Sequence, residues 1–379
     1  MKKKLLIFAV AGFALASCSS DETTASLATS GANEINFRPL MTGVTRATSL
    51  DKTSLVTNGF YVTATFTSGH TAYFADQLFK QKTASPECWA PYAESAFTAI
   101  YWPSTGADIL DFHAYAPTQE GNSQFSVSNG SIATENGCPA YTVTPAAAAA
   151  SQMDFLYASA LGKDSQDGSM PLTFAHKESQ ISINLSNSDA NLKFTVDEVA
   201  ICKIAQSGVF KYRTSEMAWG DWGPVTNYTQ GSLNITYNGT AAAAAAGTSW
   251  ILVPHGLAVP GTDGEYSSST TGAGYNGAYI RVKMKVQATY NSYYFAGGDG
   301  DNWVYAIWPI NTNANTQTWT PGTHYTYTVD LSGGGYYEQN QATPSGATLD
   351  RVLQMTEITF ATVSVTDWTP SAVAVPNPS

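Results

Sequence analysis

Charge is scarce in this chain. Asp, Glu, Lys and Arg make up 12% of the 379 residues, about half the usual share of roughly 25%. Arginine occurs five times, at 38, 46, 213, 281 and 351. With 18 basic residues against 29 acidic and a net charge of −11, nucleic acid and bare anionic membrane are excluded as partners. The four cysteines (18, 88, 138 and 202) show no C-x-x-C spacing, so no zinc or redox framework is implied. Past residue 16 no apolar run approaches the ~18 residues that a membrane span requires. Catalytic motifs are missing too: there is no G-x-S-x-G, no H-E-x-x-H and no phosphate loop with its lysine. "GAGYNG" (272–277) matches G-x-G-x-x-G in letters only, because it follows a Ser/Thr loop and precedes a strand. A dinucleotide site needs the strand before and a helix after.

The remaining candidates for chemistry are thin. Five histidines (70, 113, 176, 255, 324) are scattered, and each reads as structural; His176, at the opening of a strand, reads as a satisfied core or interface residue. Asp299 and Asp301 in "GGDGDNW" (297–303) offer two carboxylates without a distal glutamate. That falls short of a calcium ligand set and reads as a hairpin tip. No enzyme, metal or cofactor is expected.

What the chain has in quantity is alternation. In "GFYVTATFT" (59–67), Phe60, Val62, Ala64 and Phe66 share one face. In "ILDFHAYA" (109–116), Leu110, Phe112 and Ala114 oppose Asp111, His113 and Tyr115. "ESQISINLS" (178–186) turns Ile181, Ile183 and Leu185 inward, and "AYIRVKMKVQ" (278–287) sets Ile280, Val282, Met284 and Val286 against a wet row of Arg281, Lys283 and Lys285. Period-two runs between Gly/Ser/Asn/Pro clusters predict antiparallel sandwiches with one wet face per sheet. Only "TAYFADQLFK" (71–80) hints at a helical turn or two, and the alanine runs 146–150 and 241–246 read as loop. About 330 residues past residue 46 imply two domains. The polar, Gly-punctuated "GKDSQDGSMP" (162–171) reads as their linker, dividing 47–166 from 167–379. Tyr293, Tyr294, Trp303, Trp308 and Trp319 fall close together in sequence. They read either as core filling or as the sugar-stacking surface of a glycan-binding protein.

The amino terminus reads as an export signal. "MKKK" precedes the apolar "LLIFAVAGFALA" (5–16), which is too short to span a bilayer. "LASC" puts Cys18 where a lipoprotein signal peptidase cuts and acyl chains are added, with ordinary cleavage near Ala16 as the plainer alternative. Residues 1–18 are thus a lipoprotein signal peptide, and "SSDE" (19–22) resembles the tag that sends bacteroidete lipoproteins to the outer cell surface. Once Cys18 is acylated, a Cys88–Cys138 bridge and three unpaired buried thiols both remain open. Arg46 stands in the Thr/Ser/Gly-rich hinge "MTGVTRATSL" (41–50), between the strand "EINF" (34–37) and the main body, with no carboxylate near it in sequence.

These landmarks, taken in order, resemble the fimbrillin-like family of bacteroidete surface lipoproteins, which build pili by strand exchange. They are "LASC", "INF…TRAT…GFYVTA" (35–64), "IYWP…LDFHAYAP" (100–117), "DFLYA" (154–158), "PLTFAHKESQISINL" (171–185), "HYTYTVDL" (324–331) and "ITF…VSVTDW" (358–368). The resemblance implies an all-β fold of two tandem transthyretin-like antiparallel β-sandwich domains and no enzymatic activity. It implies maturation by an Arg-specific, trypsin-like protease cutting between Arg46 and Ala47; the rival Arg38 is followed by Pro39, which blocks most such cleavage. The cut removes a propeptide, 19–46, containing a strand at Ile35, Asn36 and Phe37. The gap is refilled by a donor strand from another subunit. The donor implied here is 355–368. In it Ile358 and Phe360 share one face and Val363 and Val365 the other, with Trp368 at the end and a bulge or break near Ala361–Thr362. Prolines at 370, 376 and 378 limit pairing of the tail, so shaft, tip and anchor roles stay open. The partners implied are other pilus subunits, the maturation protease, the outer membrane through lipid, and a host or bacterial surface receptor. The mature form is expected in the fimbrium at the cell surface.

Overall fold

The computed structural model describes residues 34–41, 52–103, 108–117, 123–129, 136–257, 277–298, 300–310, 317–333, 336–339 and 362–367. The described chain is all-β apart from one short α-helix, Lys52–Asn58, and two single-turn 3₁₀ segments. β-Branched and aromatic residues fill the strands, as their fit to a pleated, half-buried surface requires.

One sheet of eight strands runs in the order Asn36–Met41, Ser169–His176, Leu156–Lys163, Leu110–Ala116, Phe60–Phe66, Ala72–Ala84, Glu87–Ala93 and Ala96–Phe97. Glu87–Ala93 also pairs back onto Asn36–Met41 through Phe37 and Trp89. Seven strands therefore close into a barrel-like ring around one apolar core: Phe60, Val62, Phe79, Trp89, Phe112, Leu172 and Phe174. The helix caps this core with Leu55, and Gly59 joins it to the next strand at φ +82°. A side chain there would meet the Phe79 carbonyl at 2.5 Å, so glycine is required.

A five-stranded sheet centred on Ser179–Asn187 and Thr323–Asp330 and a seven-stranded sheet centred on Leu192–Ala205 and Tyr279–Ala288 share a second core. Ile181, Ile183 and Leu185 enter it from one sheet, and Ile280, Val282, Met284 and Val286 from the other, as the alternation predicts. A four-stranded sheet (Phe125–Ser128, Ala140–Val143, Gly208–Arg213, Glu216–Gly220) packs Phe125, Tyr141 and Phe210 onto Tyr115 and Tyr157. The outer face of Leu110–Ala116 is thereby covered: His113 and Tyr115 are as buried as Phe112.

Several local expectations yield to tertiary pairing. Of residues 71–80, all but the first lie in a strand, Ala72–Ala84, whose partners on both sides supply the backbone bonds a helix would have made internally. The alanine run 241–246 forms the strand Ala241–Ala245 against Ser179–Asn187. The expected linker 162–171 is the turn and start of a hairpin joining Leu156–Lys163 to Ser169–His176, held by Lys163–Asp167 at 3.2 Å. Residues 169–176 thus belong to the first sheet, and the four-stranded sheet draws strands from both sides of residue 166. Among the described strands two pairings are parallel, Asn36–Met41 with Ser169–His176 and Ser179–Asn187 with Thr323–Asp330. Each joins segments more than a hundred residues apart, because parallel neighbours need a long crossover. In the row read as wet, Arg281 is buried against Glu198 at 2.7 Å and Lys283 binds Asp197 at 2.6 Å.

Candidate functional site

The strand Asn36–Met41 is where the expected propeptide meets the fold. Its alternation is simple: Ile35 and Phe37 point inward and are 0% exposed, while Leu40 on the other face is half exposed. Phe37 sits among three rings, with centroids 4.9 Å from Phe79, 5.3 Å from Phe112 and 6.3 Å from Phe60. All three contacts are edge-to-face, the favoured geometry for aromatic pairs. The Ile35 backbone N–H donates to the Ile100 carbonyl at 2.8 Å, and Glu34 bridges to Tyr101. On the opposite face the Cys88 thiol donates to Asn36 Oδ1 at 3.5 Å. Burial pushes that thiol's pKa up, which keeps it protonated and a donor.

The ladders on the two sides are unequal. Toward Ser169–His176 six residues pair in parallel register, from Asn36 with Ser169 to Met41 with Phe174. Toward Glu87–Ala93 the register consists of Phe37 with Trp89. Ser169–His176 pairs on its far side with Leu156–Lys163 only through Ala175 and His176. Most of its ladder therefore depends on the strand Asn36–Met41. Without that strand, two backbone edges and a ring of aromatic side chains would face an apolar gap.

Both ends of the hinge that carries Arg46 are tied down. Before it the strand runs to Met41, which packs against the first core. After it the helix is fixed by Leu55 and by Lys52 Nζ on Glu87 Oε2 at 2.9 Å. Arg46 and Ala47 themselves lie outside the described residues, as do Cys18, Ile358, Phe360 and Trp368. Of the expected donor, Thr362–Asp367 is a strand at the edge of the five-stranded sheet, paired antiparallel with Thr323–Asp330. Val363 packs against the second core, while Val365 is 56% exposed.

The sequence reading stopped the first strand at Phe37, whereas the structure carries it through Met41. Pro39 argues against continuation in a fully paired strand, and it is tolerated here because only one side is laddered along its length. Of the walls of the site, Trp89 and Phe79 carry no mark in the sequence, and Cys88 reads there only as a buried thiol or a disulfide partner, since nothing local says which strands flank residues 34–41.

Other candidates resolve as structural. Trp308 and Trp319 are buried in the second core, with the Trp319 indole donating to Tyr327 Oη at 2.9 Å. They cannot join a sugar-stacking surface. Trp303 lies beneath Lys285 and Lys283 at 4.4 and 5.0 Å, leaving Tyr293, 62% exposed, beside Phe295 on a hairpin. Cys88, Cys138 and Cys202 are buried thiols, none in a disulfide. His176 is buried with Nδ1 2.6 Å from Asp154 Oδ2. Beside that pair, burial and the Asp154 charge push the Glu178 carboxyl well above its ordinary range. Asp299 lies outside the described residues and Asp301 is exposed; among the described residues no three His, Cys, Asp or Glu side chains converge on a metal position.

No curated protein matches the chain. Among solved structures, a Bacteroides uniformis protein assigned to cell adhesion is 15% identical, covering 89% of this chain and 99% of its own, at a TM-score of 0.43. A Parabacteroides distasonis protein with the same assignment is 12% identical over 89% and 98%, also at 0.43. The tip fimbrial protein Mfa3 of Porphyromonas gingivalis is 8% identical over 82% and 94%, at 0.36. The fimbrillin-like family model matches from residue 45 to residue 368. By that match, which takes in most of the chain, the protein belongs to the fimbrillin-like family.

Proposed function

We propose that this protein is a non-enzymatic pilus subunit, exported as a lipoprotein through Cys18, cleaved between Arg46 and Ala47, and polymerised by donor-strand exchange. The observation that carries this reading is the strand Asn36–Met41. It precedes Arg46, closes the first sheet, and is the principal ladder partner of Ser169–His176. An edge that loses such a strand is a template for another. The family match begins at residue 45, so the closing strand precedes the matched region.

In this reading the chain follows the family plan of two transthyretin-like bodies. The first is the ring completed by Asn36–Met41. The second is the pair of sheets that share the core of Ile183, Val282 and Trp308. Residues 19–46 are the propeptide. The segment 355–368, whose described part is a one-sided edge strand, is the donor, and it engages the opened first body of the next subunit. Uncleaved, acylated chains keep their own strand and anchor in the outer membrane. Assembled chains stand in the fimbrium, available to other subunits and to a surface receptor.

The test is trimming of the purified precursor with an Arg-specific protease. The expected result is a product beginning at Ala47 that forms ladders in SDS without boiling, while Arg46→Ala stays intact and monomeric. A product beginning at Ala47 that remains monomeric at high concentration would falsify strand exchange.

A further inference from the structure

Charge is unevenly balanced on the outer face of the seven-stranded sheet. Along Leu192–Ala205 a bulge between Val196 and Glu198 turns two successive acids, Asp197 and Glu198, out of the core. Each meets a cation of the neighbouring strand Tyr279–Ala288: Lys283 binds Asp197 at 2.6 Å and Arg281 binds Glu198 at 2.7 Å. Past the bulge, toward Leu192, the balance ends. Lys193 pairs with Gln287 and Thr195 with Lys285, so the two lysines are diagonal neighbours on one face. Neither forms an ion pair among the described residues. Asp301, in the adjoining turn, is exposed and makes none either. On a chain of net charge −11, two like charges at this spacing repel with no acid supplied to offset them.

The Lys285 ammonium is also held in place. It donates to the Gly300 carbonyl and lies 4.4 Å from the centre of the Trp303 ring, with Lys283 over the same ring at 5.0 Å. A lysine so fixed has less rotamer freedom left to lose on binding. Around it stand groups that bond hydroxyls: Thr195 beside Lys285, and Gln287 between Lys193 and Tyr294. All five side chains are half-buried. At the rim the exposed rings of Tyr293 and Phe295 meet edge-to-face, 5.5 Å apart. The strand Ser179–Asn187 starts beside the first sheet at His176 and ends at the turn into Leu192, so this face lies at the end of the second body away from the first.

We propose that this face binds a carboxylate-bearing sugar of a surface glycan. Lys193 and Lys285 take the carboxylate, Thr195 and Gln287 bond ring hydroxyls, and Tyr294, Tyr293 and Phe295 offer apolar faces to adjoining sugars. Charge selects the class. The chain as a whole repels a densely charged polyanion, so the partner carries separate charges spaced by neutral units, as acidic polysaccharides do. An acidic peptide would use the two cations and leave the hydroxyl-bonding groups unmatched. The inference goes beyond strand exchange and does not depend on it, because none of these residues lies in Asn36–Met41 or Thr362–Asp367.

The experiment titrates purified full-length precursor by calorimetry with hyaluronan oligosaccharides and with sialyllactose. Chitooligosaccharides and lactose serve as uncharged counterparts, and poly-glutamate as the acidic peptide. We expect at least one acidic sugar to bind, its uncharged counterpart to bind about tenfold more weakly, and affinity to fall as salt is raised. Lys193→Gln and Lys285→Gln should each lower the affinity about tenfold. Lys82→Gln, at an exposed position of the first sheet, should leave it unchanged, and equal urea midpoints will show that the variants are folded. Four results would each overturn the assignment: no binding of either acidic sugar, equal binding of the uncharged ones, affinity indifferent to both glutamine variants, or poly-glutamate bound as tightly. Polymerisation after trimming has no bearing on any of them.

Discussion

Phe37 holds more of the closing strand's contact than its neighbours, since it touches three phenyl rings and pairs with both Trp89 and Met170. Truncating a buried phenylalanine removes its transfer energy and leaves a cavity. Phe37→Ala should therefore destabilise the precursor by about 3–5 kcal/mol in urea unfolding. The protein trimmed at Arg46 should be indifferent to it, because the residue is then gone. A second residue sets a pH limit. Burial lowers the pKa of His113 from 6.5 to about 4, where it sits between Tyr157 Oη at 2.7 Å and Cys138 Sγ at 3.4 Å. As pH falls, the unfolded chain takes up this proton before the folded one. The stability conferred by the neutral ring is complete above pH 6.5 and is lost as pH falls toward 4. The loss amounts to about 3 kcal/mol. Urea midpoints measured at pH 7 and pH 4.5 should show it, and His113→Gln should flatten the difference.

Among the described elements, Thr362–Asp367 is the edge strand that the strand-exchange proposal requires to leave its sheet. It is paired on one side, and its described side chains are exposed except Val363. Val365→Asp should change the stability of the precursor by no more than about 0.5 kcal/mol, as for most surface substitutions. After trimming it should slow polymer formation at least tenfold, followed by light scattering, because the charge must enter an apolar groove. Normal assembly of this variant would show that the strand stays where it is. Element identity was legible where alternation was long and one-sided, as in 178–186 and 278–287. It failed in 72–84, where Phe79 faces the core although the local spacing reads as helix. It failed again at 241–245, where a run that reads as loop pairs with the open edge of Ser179–Asn187. The hairpin at 162–171 carries every compositional mark of a linker, since turns and linkers draw on the same Gly, Ser and Asp.

For the whole molecule, the two large cores share no residue, and the four-stranded sheet lies against the first ring. Trimming at Arg46 removes Ile35 and Phe37 from one core and nothing from the other. In calorimetry the freshly trimmed protein should show one transition moved to lower temperature and a second little changed; a uniform shift of a single transition would mean that the cores unfold as one. By itself the sequence determined the all-β class, the apolar face of most strands and the placing of Arg46 in a hinge, because side-chain period and composition are local properties. Ring closure, the parallel pairings and the dependence of Ser169–His176 on a strand 133 residues earlier were decided only by tertiary structure. An alternating pattern tells a strand which face to bury, but its neighbours are chosen by backbone edges that come together only when the chain is folded.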